Sequence, residues 1–464
     1  MTLFDPVPAG AADTPLAASH RRILTSAAML GGTTVLIKLV ALAKDWLVAR
    51  RFGAGDDLDA FLVALLIPTY AVVVLAHSFA SGFLPTYIRV WERHSLSAAQ
   101  RLVGSVLAGA AGVLTVITLL LAGVARYLIP LVGTGFDPAK LALAESLFYI
   151  LAGMLIVTGI SAIFAAVLNA HERFAIPALA PLAIPVFTIG VFWLLEDRLG
   201  IYALAGGTLL GFVMECAILA GGMQRHGLLG WPRWHGLDED LRHVGSQYVP
   251  IVVGSLLMSS AIVVDQSMAA SLGSGNVSVL NYGNKIVALV LNVVAISLST
   301  VLFPRFSRMI TAGQWDELNR TIRVYSKAIL IASIPGVALL AVVSEPLVRL
   351  LFERGAFTPE TTRAVTEVQI CYLPQIPFAV LVILGYRMLS ALDGNRLVLA
   401  IGALNLLMNV GGNLVFMRRF GVNGIAMSTS LMYLVATLAT LAAIRYKLAD
   451  AHTLAGRSGP SGPA

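Results

Sequence analysis

Charge is scarce in this sequence. Only 12% of its 464 residues are Asp, Glu, Lys or Arg, about half the share carried by a soluble globular domain. That scarcity excludes an ordinary water-soluble enzyme. Cysteine is scarcer still: Cys216 and Cys371 are the two in the chain, each inside an apolar run. They offer neither a disulfide framework nor a metal site and read as packing residues. No G-x-x-x-x-G-K-[ST] stretch occurs, so there is no sequence signature of a phosphate-cradling ATP loop. No cofactor is implied. The Ala- and Pro-rich start lacks the apolar core of a signal peptide and reads as a disordered leader.

What the chain has instead is apolar sequence, 58% of all residues, with a mean hydropathy of +0.83. Runs of about 20 apolar residues, the length needed to cross a bilayer as a helix, recur from end to end. The expected fold is an all-α integral membrane protein of about twelve spans. Their limits read as 23–48, 59–83, 102–124, 146–168, 176–195 and 201–223, then 248–272, 277–302, 328–343, 368–392, 397–417 and 422–444. The organisation this gives is a leader (1–22), a six-helix lobe (23–223), a cytoplasmic connector (224–247), a second six-helix lobe (248–448) and a disordered tail (449–464). The net charge of +7 then belongs to loops facing anionic lipid, and nucleic acid is not an expected partner. With the amino terminus inside, the inner segments hold 18 Lys and Arg and the outer loops 10. The positive-inside rule therefore puts both termini in the cytoplasm.

The sequence repeats itself in parallel. "DWLVARRFGAG" at Asp45–Gly55 is echoed by "DQSMAASLGSG" at Asp265–Gly275. "NAHERF" from Asn169 pairs with "SALDGN" from Ser390, and "LGIYALA" from Leu199 with "FGVNGIA" from Phe420. Odd spans match odd spans, so the halves keep one orientation and are expected to be related by a pseudo-two-fold axis along the membrane normal. Transporters built this way hold substrate between the halves.

Four basic residues, Lys38, Lys44, Lys285 and Arg387, lie within expected spans. A central charge costs about 2.5–3.5 kcal/mol on insertion scales, so it faces protein or water. Lys38 and Asp45 are seven apart and share a helix face. Two readings of Lys44 and the aspartates stand side by side: snorkelling at the outer interface, or lining a cationic cavity for a phosphate or pyrophosphate. Asp45, Asp59 and Asp265 are candidates for ion coupling or for pairing with the lysines. His77 and Arg387 are further polar candidates; Arg387 can also simply reach the inner headgroups.

These stretches together resemble the MviN/MurJ lipid II flippase family of the multidrug/oligosaccharidyl-lipid/polysaccharide exporter superfamily. The resemblance rests on "KDWLVARRFGAGDDLDAFLVALLIP" from Lys44, "VVDQSMAASLGSGNVSVLNYGNKI" from Val263, "STVLFPRFS" from Ser299 and "LFERGAF" from Leu351. It implies a transporter, not an enzyme. The implied activity is alternating-access movement of a polyprenyl-pyrophosphate-linked sugar from the cytoplasmic to the outer leaflet, for peptidoglycan synthesis. It further implies a bacterial inner-membrane protein working as a monomer beside cell-envelope synthesis enzymes. The family's basic positions match Lys38, Lys44 and Lys285, with lysine where the family usually has arginine, and its span-two aspartate matches Asp59. Two features depart from the pattern. Val72 and Val73 stand where the family has an Arg pair, and the chain reads as twelve spans without two further carboxy-terminal helices. These leave open an exopolysaccharide or O-antigen unit as the cargo. A multidrug antiporter would favour an acidic cavity, and a glycosyltransferase a substantial outer domain with an acidic cluster.

Overall fold

A computed structural model describes the backbone of residues 15–230 and 239–457. Within these, some side chains, including those of 15–31, 77, 79–81, 295–305 and 450–457, lie outside the described set. Among the described residues every regular element is helical, as the apolar runs require. In order these are α1 (Pro15–Phe52), α2 (Asp56–Ala71), a π-helical turn (Val72–His77), α3 (Ser78–Arg93), α4 (Leu96–Val132), α5 (Pro138–Leu151) and α6 (Met154–Ala170). Next come α7 (Ala175–Leu179), a 3₁₀ turn (Ala180–Leu182), α8 (Ala183–Leu199) and α9 (Ile201–Arg225). The rest is α10 (Glu239–Ala270), α11 (Asn276–Thr311), α12 (Trp315–Phe352), α13 (Pro359–Tyr372), α14 (Gln375–Ala391), α15 (Asn395–Phe420) and α16 (Val422–Arg457). Among the described residues nine helices are long and apolar enough to span a bilayer, or ten if α13 and α14, bent by 45°, form one span. The expected spans 23–48 and 248–272 fall on α1 and α10, which are not among the nine. The helix α1 begins within the stretch read as a leader, and α16 runs into the stretch read as a tail.

Several expected spans are broken. Span 59–83 passes through a π turn four residues after Pro68; π turns loosen the backbone ladder and recur at functional sites. Span 146–168 is cut between α5 and α6, and span 176–195 at the 3₁₀ turn. The latter carries Pro177, Pro181 and Pro185, each lacking the amide that a continuous helix needs. Local backbone geometry also recurs 221 residues on. Glu172 and Asp393, both non-glycine, have φ of 58° and 53°, and Gly200 and Gly421 have φ of 53° and 56°. Asp137 caps α5 ahead of Pro138, as Thr358 caps α13 ahead of Pro359.

The chain forms two compact units. The first comprises Met1–Asp45, Phe83–Val113 and Ile156–His243. Here α8 lies along α9 through glycine notches: a β-carbon at Gly211 would stand 2.6 Å from Ile184 Cα, and one at Gly207 3.1 Å from Thr188 Cα. The second unit comprises Trp46–Gly82, Leu114–Leu155 and Val244–Ala464. Its α14, α15 and α16 pack around Met388, Leu389, Ile401 and Ile444.

Candidate functional site

Of the candidate residues, Asp59 is the most completely enclosed, with no solvent exposure. It lies in the first turn of α2, an acidic turn that also holds Asp56 and Asp57 and suits the positive helix end. Its carboxylate does not cap its own helix. It reaches α11, whose N-cap residue, Gly275, has no side chain to do that work. Oδ2 accepts from Gly275 N at 2.7 Å, and Oδ1 from Ser278 N at 2.8 Å and Ser278 Oγ at 2.6 Å. The orphan amides of a helix start are thus satisfied by a residue 219 positions earlier. The remaining partner is Lys140, whose Nζ stands 3.0 Å from Asp59 and 2.6 Å from Asp56. Lys140 is itself buried and rests 4.0 Å over the Phe136 ring. Asp59 therefore pairs with Lys140, a residue counted in the sequence among the outer-loop cations.

The turns alongside are equally close-fitting. Gly53 (φ 58°) abuts the Ala356 carbonyl and Gly355 (φ 61°) the Arg50 carbonyl. Ala356 N donates to Arg50 O at 2.9 Å. These glycines are needed both for their positive φ and for the approach of backbone to backbone.

Asp265, on α10, gathers a second polar group. Asn409 and Asn413 donate to its Oδ1 at 2.9 and 2.7 Å, and Thr429 Oγ1 to its Oδ2 at 3.3 Å. Both asparagines are fully buried, and their carbonyl oxygens have no partner. The group borders a cavity of about 460 Å³ that Asn284, Gln375, Asn405 and Tyr433 also line. Turning the carboxamides over would aim two more oxygens at Asp265, an oxygen-rich set suited to a hard cation. Among the described residues no cluster of three His, Cys, Asp or Glu could hold a metal ion.

The cationic candidates are more open. Lys38 is exposed and, among the described residues, has no ion-pair or hydrogen-bond partner. Lys44 lies 3.2 Å from Asp45, both partly buried. Lys285 is half-buried, its Nζ 4.7 Å over the Tyr282 ring. Arg387 is exposed. The His77 side chain lies outside the described residues; its backbone ends the π turn. Lys38, Lys44 and Asp45 belong to the first unit, and Lys285, Asp59 and Asp265 to the second.

One polar cluster in the first unit was not anticipated. Tyr87 and His171 are hydrogen-bonded at 2.7 Å, and the Trp91 ring, tilted by 45°, lies with its centroid 4.1 Å from that of the imidazole. Burial pushes the Tyr87 phenol up to about 12. Burial, then the Arg173 charge, holds His171 below the usual imidazole value.

The family description "Lipid II flippase MurJ" matches residues 48–455. The chain belongs to the lipid II flippase MurJ family. Relatives span most of it: the "Probable lipid II flippase MurJ" of Rhizobium meliloti (strain 1021) is 28% identical over 412 residues, covering 86% of this chain and 76% of that protein. The one from Vibrio cholerae serotype O1 is 25% identical over 425 residues, covering 89% and 81%. Among solved structures, "Lipid II flippase MurJ, inward closed conformation" superposes with a TM-score of 0.77 at 21% identity, covering 93% of each chain. An inward-facing multidrug resistance MATE family transporter of the MOP superfamily gives 0.74 at 15% identity, covering 91% and 96%. These likenesses establish a shared MurJ and MATE fold. As a MurJ-family member the chain is a multi-pass membrane transporter rather than an enzyme.

Proposed function

We propose that this chain moves a polyprenyl-pyrophosphate-linked glycan precursor, lipid II or a close chemical relative, from the cytoplasmic to the outer leaflet. The observation that carries this reading is the family match over residues 48–455. The cargo's pyrophosphate explains why cations are kept in apolar helices, since its charges must leave water and would be prohibitively costly to bury unpaired. Lys38, Lys44 and Lys285 are the residues assigned to neutralise it. Lysine acts as a point charge without the bidentate fork of arginine, which suits a headgroup that shifts as the protein changes state.

Alternating access needs a closed state that can reopen. The Asp59 bonds to Lys140 and to the start of α11 act in this reading as the outer latch, on the side that the loop charges assign to the exterior. Asp265, ringed by carboxamide and hydroxyl groups, is assigned to ion coupling and Asp45, paired with Lys44, to charge balance. Both termini are placed in the cytoplasm, and the protein works as a monomer beside enzymes of envelope synthesis.

The test is leaflet transfer of a labelled lipid-linked sugar in vesicles. Lys38→Gln and Lys285→Gln keep polarity and approximate volume but remove charge. Each is expected to cut transfer at least tenfold while folded protein in the membrane stays near wild type. Normal transfer by the double variant would refute the cationic mechanism. Val72 and Val73, in the π turn where the family pattern has basic residues, favour a second reading with an exopolysaccharide or O-antigen unit as cargo. Depletion separates the two by the precursor that accumulates inside.

A further inference from the structure

Glu215 lies fifteen residues into α9, a helix of 25 residues that qualifies as a membrane span. It is the only acidic residue between Asp197 and Asp238. Exposed Tyr202, Leu210 and Val213 mark the outer side of α9. At 100° per residue Glu215 falls on the opposite side, with buried Leu204, Thr208, Gly211 and Gly222. It is half-buried, and among the described residues no hydrogen bond or ion pair reaches its carboxyl group. The charged groups of the neighbouring helices sit at helix ends: Glu196, Asp197 and Arg198 on α8, Arg225 on α9, and His171, Glu172 and Arg173 after α6. Arg89, Glu92 and Arg93 on α3 and Arg101 on α4 likewise exert no charge effect on it.

The helix register identifies what Glu215 does face. Gly211 meets Ile184 of α8, and Gly222 meets Ile176 of α7. Antiparallel packing between those two contacts brings Glu215 level with the 3₁₀ turn Ala180–Leu182. That turn is rich in acceptors and poor in donors. Pro181 has no amide to give the Pro177 carbonyl, whereas the Ala180 and Pro181 carbonyls accept from Ala183 N. Ala180 N is already committed to Ile176 O. An ionised carboxylate is costly within a bilayer, and a protonated one finds a carbonyl to bond there. A second, independent sign lies beside it. Thr158 and Ser161, one turn apart on α6, are 8% and 4% exposed, and their hydroxyls have no oxygen or nitrogen partner. Cys216 lies against Ser161. A hydroxyl can accept one proton while giving another, as a relay requires.

We propose that Glu215 is a proton-binding site: its carboxylate takes a proton from solvent and donates the new O–H to the Pro177 carbonyl, which Pro181 leaves without an amide in the α7–α8 break. Binding and release of that proton make and break a bond between α9 and the broken segment, so proton occupancy sets the stiffness of this helix pair. The proposal does not depend on the identity of the cargo.

The experiment uses purified full-length protein in lipid nanodiscs with no lipid-linked sugar, so failure of the flippase reading cannot mimic its failure. Acidification is followed by proton uptake and by infrared difference spectroscopy of the protonated carboxyl C=O band. Wild type should show the band and bind one more proton per chain than E215Q, in which that band component is lost. D197N, altered at the exposed end of α8, should behave as wild type. If E215Q does not fold, E215M fills similar space and the same loss is expected. Unchanged uptake and an unchanged band in the folded variant would overturn the proposal.

Discussion

At the level of single residues, the contacts that matter join positions far apart in sequence. Lys140 shows the difficulty: nothing in "GTGFDPAKLAL" signals that its ammonium is buried against two aspartates 81 and 84 residues earlier. Asp59 was visible as an acid opening a span, but its partner was not. Glu215 was not among the candidates, and its proline-rich surroundings depend on helix register. The two aspartates should respond differently to neutralisation. Breaking a buried pair costs about 3–5 kcal/mol, and an exposed one about 0–1 kcal/mol. Asp59 is enclosed, whereas the Asp56 side chain is 56% exposed. Asp59→Asn should therefore lower the thermal unfolding midpoint in detergent far more than Asp56→Asn; equal shifts would contradict the trans-helix cap. His171 gives a pH dependence. Its folded-state value lies below 6.5, so its contribution to stability is present above 6.5 and lost as pH falls through the depressed value. Acidification should destabilise wild type more than His171→Gln, measured by unfolding at a series of pH values.

At the level of elements, apolar length located most of the helices but not their interruptions. Span 146–168 reads as one run because Ala152 and Gly153 are as compatible with an apolar helix as with a break. The prolines at 177, 181 and 185 were plain in the sequence, yet a break also depends on what the neighbouring helix allows. Here α9 allows it by presenting glycines. The glycines of α9 are not equivalent. A β-carbon at Gly211 would meet Ile184 backbone at 2.6 Å, whereas one at Gly221 meets nothing within 4 Å. Gly211→Ala should force α8 from α9 and lower stability. Gly221→Ala should be neutral or raise it by up to about 1 kcal/mol through helix propensity. Unfolding midpoints of the two variants check the sign of each.

For the whole molecule, hydropathy alone gave the membrane class, and the quoted stretches gave the family. These properties are spread over hundreds of residues and survive local error. Ten of the twelve expected spans fall on helices that qualify among the described residues, counting the bent α13–α14 pair as one, and the other two fall on α1 and α10. Orientation rests on the distribution of Lys and Arg and is open to direct measurement. Asp57 and Glu317 are both exposed, at turns assigned to opposite sides. A cysteine at Asp57 should react with an impermeant reagent in intact cells, and one at Glu317 only in inside-out vesicles. The reverse pattern would invert the topology. The cap on α11 bears on how such a chain is made. Gly275 and Ser278 leave the ribosome 216 and 219 residues after the carboxylate that satisfies them. Of the partners of Asp59, Lys140 is synthesised 81 residues after it and the α11 groups come last.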